Sequence, residues 1–383
     1  YQPESYLPAQ DIYIAKETKI NSEIERLRIE SAASLVNRRD TIIIASVSCI
    51  YSLGNPEDYK NLSMKLNLGQ EISRQELLQQ LVFIQYNRND IEKSSGSFSV
   101  TGNTVEVILP YQKEKLRIEV FGNKIEGLSW ISKQDNKILT ELDNTLIFPA
   151  KYFVTTKDKK EAAIKSIKRE LDWWAPQLKN PIYQERIKAR VNHDLEMLQE
   201  TGFCTGIENY SSHFDGRLPG SQPYCLLDYF GEDFLLVVDE SHIAIPQLGG
   251  MYAGDKARKK SLIDFGFRLP SAADNRPLKF QEIEKYFNDV IFVSATPSEY
   301  ELKKSDVFVE QIIRPTGLVD PIIETHPRTN QLTHLISEIE KTNEKGFRTI
   351  VTVLTKKLAE ELARYLQENK VKVCYLHSEM KTP

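Results

Sequence analysis

The 383-residue sequence predicts an α/β fold that carries an additional antiparallel β-rich domain. Two apolar runs rich in β-branched residues, 234–238 and 290–293, each end in polar residues, as buried parallel strands of an open α/β sheet do. Residues 97–128 instead contain short alternating runs separated by turn residues, which predict antiparallel strands. A chain of this length is expected to form two or three domains.

The composition is that of an ordinary globular protein. Charged residues make up 27% of the chain and the formal net charge is −4, so any nucleic-acid contact must come from a local basic or aromatic surface. The four cysteines are dispersed without metal-site spacing, which predicts reduced thiols. There is no secretory signal and no apolar run of about eighteen residues, so a cytoplasmic chain without membrane contact is predicted.

The first of the two apolar runs ends in adjacent carboxylates. Asp239 stands where a strand-end carboxylate can hold Mg²⁺, and Glu240, which points the other way, can polarise a water that attacks a phosphate. This is the Walker B pattern, although a strand that ends in Asp-Glu can also be a simple helix-capping turn. After the second run come Ser294 and Thr296, hydroxyls that can cap the turn that follows.

The opening segment predicts an exposed β-hairpin, because residues 8–10 separate two extended, tyrosine-bearing runs. Its aromatic residues Tyr1, Tyr6 and Tyr13 can stack on unpaired bases, or they can be half-buried residues of a sheet. A helix is predicted next, and residues 41–48 then predict a buried strand. The apolar positions chosen for the face of that helix are Ile20, Ile24, Leu27 and Leu35.

Three further segments leave their interpretation open. Residues 249–260 interleave glycines with four cations, which suits either close approach to a phosphate backbone or a mobile solvated loop. Trp173 and Trp174 can contact DNA or protein, or pack between helices. Near the end of the chain, helices at 331–341 and 356–368 alternate with predicted strands at 348–354 and 371–376, which is the start of a βαβ unit.

Asp239-Glu-Ser-His242 followed by Ser294-Ala-Thr296 resembles motifs II and III of superfamily 2 helicases, in which these hydroxyls couple the nucleotide site to the DNA track. Other short strings, spread over nearly the whole chain and in the family's order, resemble the UvrB family, the damage-verifying subunits of bacterial UvrABC excinucleases. The strings lie at residues 1–8, 38–40, 45–51, 203–211, 219–221, 227–230, 239–242, 268–277, 312–317 and 376–379.

This resemblance implies incomplete RecA-like P-loop NTPase lobes with an inserted antiparallel β-rich domain and a β-hairpin. We expect the hairpin and the adjoining DNA-contacting segment of the first lobe at residues 1–60, and an inserted domain that docks UvrA at 61–150. A helical region with the rest of the first lobe is expected at 151–314, and the start of a second lobe at 315–383. In such proteins the hairpin threads between DNA strands, ATP hydrolysis drives limited strand separation, and UvrC is recruited for incision.

The resemblance also implies roles for individual residues. DNA contacts are expected at Tyr1, Tyr6, Tyr13, Lys16 and Arg28, a UvrA contact at Arg88, nucleotide contacts at Asp239, His242, Ser294 and Thr296, a Mg²⁺ ligand at Asp239 and the catalytic role at Glu240.

Two departures from the family limit these expectations. Ser99 and Thr101 stand where the family has arginines, so docking of UvrA is weakened or its partner carries matching changes. The sequence contains no Gly-x-x-x-x-Gly-Lys-[Ser/Thr] and stops before the family's arginine-bearing motifs V and VI. We therefore expect this polypeptide alone neither to bind ATP tightly nor to hydrolyse it. A non-enzymatic module that binds UvrA and DNA, and a transcription-repair coupling translocase, remain alternatives.

Overall fold

The computed structural model describes residues 3–15, 22–92, 94–313 and 316–377. The chain divides into two compact units, Tyr1–Asp306 and Val307–Pro383. The first unit contains the hairpin, the β-rich domain, a helical region and a parallel strand pair, and the second contains two helices. The mixed α/β class predicted from the sequence is confirmed.

The opening segment forms the predicted hairpin. Strands β1 (Ser5–Leu7) and β2 (Ile12–Ile14) pair antiparallel, with Tyr6 opposite Tyr13. Helix α1 (Ser22–Asn37) follows. Its buried stripe is formed by Ile29, Ala32 and Ala33. Of the positions chosen from the sequence, Leu35 packs against the same core, whereas Ile24 and Leu27 are exposed. Ile20 lies outside the described residues. Small alanine side chains add little to an apolar pattern, yet they let a helix pack closely, which is why this stripe was missed.

The buried strand predicted at residues 41–48 is wrong. Ile42 and Ile44 are 91% and 98% exposed, and residues 41–46 have no strand pairing in the part of the chain that the structure describes. An apolar run forms a strand only where a neighbouring strand satisfies its backbone hydrogen bonds and a packed face covers its side chains.

The β-rich domain consists of two short helices, a two-stranded antiparallel sheet and a six-stranded, mostly antiparallel sheet. Its helices and first strand are α2 (Pro56–Asn61), β3 (Met64–Asn67) and α3 (Arg74–Phe83). Six strands then form one sheet in the order in which they occur, and they are β4 (Asn87–Arg88), β5 (Ser97–Thr101), β6 (Thr104–Ile108), β7 (Lys115–Phe121), β8 (Lys124–Ile131) and β9 (Ile138–Glu141). Strand β10 (Asn144–Ile147) returns to pair with β3.

Helix α3 covers one face of the six-stranded sheet. It starts with a capping box, in which the Ser73 side chain and the Glu76 carboxylate each bond the other residue's backbone N–H. Leu77 and Leu81 of α3 are fully buried in the same core as Val107 on β6. All strand neighbours in this sheet are antiparallel except β4 and β5, so the predicted antiparallel arrangement of residues 97–128 is confirmed.

Three helices form the helical region, α4 (Lys157–Trp174), α5 (Pro181–Thr201) and α6 (Ser211–Asp215). Ile167 of α4 and Ile187 of α5 are fully buried in one core cluster. Trp174 packs against this cluster, as the packing interpretation expects, whereas Trp173 is exposed.

The rest of the first unit contains β11 (Leu235–Val238), α7 (Ser241–Asp264), α8 (Phe280–Ile283), β12 (Asp289–Phe292) and α9 (Glu299–Lys304). Strands β11 and β12 pair in parallel, with Val238 opposite Phe292. Residues 249–260 lie inside α7, so the interpretation of that segment as a mobile loop is wrong, while close approach of its cations to a phosphate backbone stays a prediction. Glycine weakens a helix by about 1 kcal/mol at each position, and here buried Ile245, Leu248 and Leu262 hold the helix against the core.

The second unit contains helices α10 (Gln331–Glu344) and α11 (Lys356–Glu368), which confirms both helices predicted there. The strands predicted at 348–354 and 371–376 are wrong, because these segments have no strand pairing among the described residues and Ile350 and Leu354 are exposed. The reason is the same as for residues 41–48. Among the described helices, none is both long and apolar enough to span a membrane.

Candidate functional site

The two polar strand ends meet at one edge of the parallel pair, as the sequence predicts. Beyond the paired residues, the Val293 N–H donates to the Val238 carbonyl oxygen at 2.9 Å, and the Ser241 N–H donates to the Val293 carbonyl oxygen at 3.0 Å. This continuation of the ladder carries Asp239 and Glu240 alongside Ser294. We call Asp239, Glu240, His242, Ser294 and Thr296 the strand-end cluster.

His242 bridges the two strand ends. Its Nδ1 lies 2.8 Å from Ser294 Oγ and 3.6 Å from a Glu240 carboxylate oxygen. Ser294 Oγ also accepts a hydrogen bond from the Thr296 N–H at 3.0 Å. Ser294 therefore caps the turn after β12, as the capping interpretation expects, and at the same time holds the imidazole beside the Glu240 carboxylate.

Glu240 has an unusual backbone. Its φ of 45° and ψ of 48° are left-handed, which is rare for a residue with a side chain. Such a conformation costs about 1–3 kcal/mol and persists only when its surroundings hold it. The Glu240 carboxylate is exposed, and so is that of Asp239. The bend directs both carboxylates to solvent at the start of α7.

A buried clamp below the cluster fixes this bend. Ser241 Oγ is fully buried and donates to the Glu301 carboxylate at 2.8 Å. Glu301 also accepts hydrogen bonds from the N–H and the hydroxyl of Ser298, which caps α9. Burial by itself raises the pKa of the Glu301 carboxyl, but the hydrogen bonds from Ser298 and Ser241 outweigh it and the pKa is lowered. Sequence reasoning missed this clamp, although the Ser298-x-x-Glu301 spacing is a capping-box signal.

The cluster fits only part of a nucleotide site. Among the described residues, no group of three or more His, Cys, Asp or Glu side chains is arranged to hold a metal ion. Mg²⁺ at Asp239 would therefore keep water and phosphate oxygens as its other ligands, which is its usual behaviour in phosphate sites. The donors that cradle the β- and γ-phosphates are not among these residues, because the 383-residue sequence has no Gly-Lys-[Ser/Thr] phosphate loop.

The hairpin presents one of its tyrosines and buries another. Tyr1 and Lys16 lie outside the described residues. Tyr6 is only 6% exposed, with its ring centroid 4.9 Å from those of Phe265 and Phe267. The exposed stacking role expected for Tyr6 is therefore wrong in this structure, and the half-buried alternative describes it. Two phenylalanines far along the chain cover the ring, and no local pattern signals such contacts.

Tyr13 is the hairpin tyrosine that can still meet a base. It is 41% exposed, and one face of its ring stacks on Phe267 at 4.7 Å with 8° between the planes. Arg186 of α5 lies 4.1 Å from the Phe267 ring centroid. Arg186, Phe267 and Tyr13 thus form a stack that holds the Tyr13 ring in a fixed orientation.

A buried ion pair anchors the base of the hairpin. The Arg268 guanidinium donates to both carboxylate oxygens of Glu4 at 2.9 and 2.6 Å, and the two side chains are 7% and 10% exposed. Burial lowers the pKa of the Arg268 guanidinium. The hydrogen bonds to Glu4 and the negative charge of Glu4 raise it by more, so the net pKa is raised. Arg258 of α7 adds a hydrogen bond to the Glu4 carbonyl oxygen. Helix α7 thus carries the strand-end cluster at its start and the hairpin near its end.

The remaining predicted residues lie apart from the cluster. Arg28 is exposed on α1, and Arg88 on β4 is exposed and paired with Asp90 at 3.0 Å. The two positions at which the resemblance leads us to expect arginines differ in exposure, because Ser99 is buried while Thr101 is exposed.

Position 99 faces an acidic residue of the sheet. Ser99 stands opposite Glu106. Glu106 is already paired with Lys115 and Arg117, each at 3.0 Å. This buried network joins β6 to β7 on the sheet face that carries position 99.

Comparisons with known proteins agree with this architecture. The sequence matches the UvrB interaction domain over residues 64–153 and the UvrB third helical domain over residues 158–216. It is similar to UvrABC system protein B of Methanosarcina acetivorans (52% identity), Methanococcus maripaludis (53%) and Caldanaerobacter subterraneus subsp. tengcongensis (52%). Each match covers the whole of this chain and 57–59% of the relative, so the chain spans somewhat more than half the length of these proteins. The chain belongs to the UvrB family.

Proposed function

We propose that this chain carries DNA-damage verification in nucleotide excision repair. It binds DNA at lesions through the hairpin, docks UvrA through the β-rich domain, takes part in coupling ATP hydrolysis to limited strand separation, and recruits UvrC for incision. It acts in the cytoplasm, where its DNA substrate lies. One observation carries the proposal, namely that α7 joins the strand-end cluster to the docked hairpin.

The hairpin contributes the DNA contact. The free face of the Tyr13 ring stacks on an unpaired base, a contact worth roughly 1–3 kcal/mol without sequence preference. The Tyr13–Phe267 stack and the buried Glu4–Arg268 pair keep the hairpin rigid. A rigid hairpin lets undamaged nucleotides pass and stalls at a bulky adduct, which detects lesions by shape. Arg28 on α1, together with Tyr1 and Lys16, adds contacts to the same strand.

The strand-end cluster contributes to the nucleotide site. Bound Mg²⁺ neutralises phosphate charge, and Asp239 is the residue that holds it. Glu240 orients the attacking water, and His242 is kept beside Glu240 by Ser294. Thr296, exposed at the same edge, faces the DNA track. The 383-residue chain alone does not bind ATP tightly, since its sequence lacks the phosphate loop.

Fluorescence anisotropy tests the DNA contact. We expect the chain to bind a duplex with a bulky adduct more tightly than the undamaged duplex, and Tyr13→Ala to remove this preference. Ile12→Ala changes an exposed hairpin residue without touching the stack and is the matched control. Equal affinity for both duplexes, or a preference that survives Tyr13→Ala, contradicts the proposal.

A second candidate is a non-enzymatic module that binds UvrA and DNA. The β-rich domain favours it, because helix α3 and the strands of the six-stranded sheet share one buried core. Pull-down with purified UvrA, using Arg88→Ala and Thr101→Arg, tests docking. We expect the first change to weaken it and the second to strengthen it. A nucleotide titration separates the two candidates, because micromolar ATP affinity of the chain rules out the module.

A further inference from the structure

Tyr252 of α7 is surrounded by three cations. The Arg276 guanidinium carbon, the Lys279 Nζ and the Lys256 Nζ lie 5.3, 5.5 and 6.0 Å from the centroid of its ring. Lys256 lies one helical turn after Tyr252, whereas the other two cations come from the segment before α8. We call Tyr252, Lys256 and Lys279 the tyrosine platform.

The positive charge of this group is only partly compensated. Arg276 is buried and forms a bidentate pair with Glu282 at 2.7 and 2.8 Å. Burial raises the pKa of Glu282, but the hydrogen bonds and charge of Arg276, with a contribution from Lys279, lower it overall. In the part of the chain that the structure describes, neither Lys256 nor Lys279 forms an ion pair. Glu282 therefore compensates Arg276 and, in part, Lys279.

The platform is open to a ligand. Tyr252 and Lys279 are half-buried and Lys256 is exposed. Two ammonium groups without counter-ions gain from phosphate oxygens, and an accessible ring between them gains from a planar base. Aromatic rings flanked by lysines are what proteins use to hold single-stranded nucleic acid without reading its sequence. The alternative is that Lys256 and Lys279 only pack against the Tyr252 ring, in which case the platform binds no anion.

We propose that the tyrosine platform binds single-stranded DNA, with a base on the Tyr252 ring and neighbouring phosphates on Lys256 and Lys279. The inference rests on the proposed DNA-binding function and gives that function a second contact on α7. Tyr252 precedes Arg258, which holds the hairpin, by six residues or about 9 Å of helix. A strand held at the hairpin is thus within reach of the platform. The cations of residues 249–260 act from a helix face, not from a loop.

Anisotropy with a fluorescein-labelled oligothymidylate tests the platform in the full chain. Tyr252→Leu keeps an apolar side chain but cannot stack, and we expect affinity to fall by roughly 5- to 150-fold. Tyr252→Phe keeps the ring and should leave affinity unchanged. The double variant Lys256→Gln/Lys279→Gln should flatten the dependence of log affinity on log salt by about 1.4, the value for two phosphates on a single strand. Lys260→Gln, which removes one exposed lysine from the same helix, is the charge-matched control for the single variant Lys256→Gln.

The outcomes separate this inference from the function on which it rests. If the unaltered chain binds no single-stranded DNA, both fail. If it binds and Tyr13→Ala weakens binding, while Tyr252→Leu and the double lysine variant do not, the platform alone is refuted. If Lys260→Gln changes affinity as much as Lys256→Gln does, binding follows diffuse charge and the platform is refuted as well. Loss of affinity in Tyr252→Leu that Tyr252→Phe avoids supports it.

Discussion

Replacing Arg268 by methionine should release the hairpin from its contacts with the rest of the first unit. Methionine keeps much of the volume of arginine but leaves the Glu4 carboxylate in a nearly closed site, with no cation on its two oxygens. Arg258 does not compensate, because it binds the Glu4 backbone carbonyl. Removing one partner of a buried ion pair costs about 3–5 kcal/mol, since the remaining charge stays desolvated.

Hydrogen exchange of the amides at residues 5–14 measures this effect directly. Since about 1.4 kcal/mol corresponds to a factor of ten, exchange should become roughly 100- to 5,000-fold faster, or lose its protection altogether. Arg38→Met is the control. Arg38 and Asp40 are paired at 2.9 Å but are 60% and 75% exposed, and exposed pairs contribute only about 0–1 kcal/mol.

The double variant Glu4→Gln/Arg268→Met removes both charges and should recover part of the lost protection, because no desolvated charge is left. Unchanged exchange of the hairpin amides in Arg268→Met would refute the reasoning, because it would show that the stack on Phe267 holds the hairpin by itself. If the hairpin amides of Arg268→Met still exchange slowly but the variant no longer prefers adduct-bearing DNA, the ion pair affects DNA binding without anchoring the hairpin.

Four further predictions concern stability. The pKa of Glu301 is lowered, so its stabilising contribution is complete above the ordinary carboxyl pKa of 4.5 and is lost as pH falls through the lower folded value. Thermal unfolding of Glu301→Gln should therefore approach that of the unaltered chain in acid, and a constant difference down to low pH would contradict this. Gly54→Ala would place a methyl group 2.0 Å from the Tyr152 carbonyl oxygen and should cost at least about 1–3 kcal/mol. Gly249→Ala meets nothing within 4 Å and should stabilise α7 by up to about 1 kcal/mol, and equal melting temperatures for the two variants would contradict both estimates. Tyr86→Phe removes a hydroxyl that donates to a buried backbone carbonyl and should cost about 1–3 kcal/mol in denaturant unfolding, and an unchanged midpoint would contradict that.

The features that sequence reasoning predicted are those that local pattern determines. The two polar strand ends were found because an apolar run that stops at a carboxylate or hydroxyl marks the end of a parallel strand, and Val238 and Phe292 are indeed paired. Helix α11 was predicted with its bounds, and in the structure Thr355 caps it and its apolar residues recur with helical period. Strands β5 to β8 of the six-stranded sheet were predicted from alternation and turn residues, whereas β4 and β9 were not.

The features it missed depend on partners distant in sequence. Residues 41–48 have the composition of a strand, but Ile42 and Ile44 have no neighbour to pair with or to pack against in the described chain. Tyr6 looks like an exposed hairpin tyrosine until Phe265 and Phe267 close over it. Residues 249–260 have too many glycines for a helix by propensity, and buried contacts on either side override that preference.

Helix α7 links two motifs that are separate in sequence, the strand-end cluster and the hairpin. It has 24 residues and is therefore about 36 Å long. The left-handed Glu240 lies immediately before its first turn, and Arg258, at the end of its third quarter, is hydrogen-bonded to the hairpin. A change in the backbone of Glu240 would move the start of a helix whose Arg258 side chain is hydrogen-bonded to the Glu4 carbonyl oxygen. Because Pro246 and three glycines weaken the helix between these points, its stiffness comes from the buried side chains Ile245, Leu248 and Leu262. The packing of α7, and not its helix propensity, therefore sets how well the strand-end cluster and the hairpin are mechanically connected.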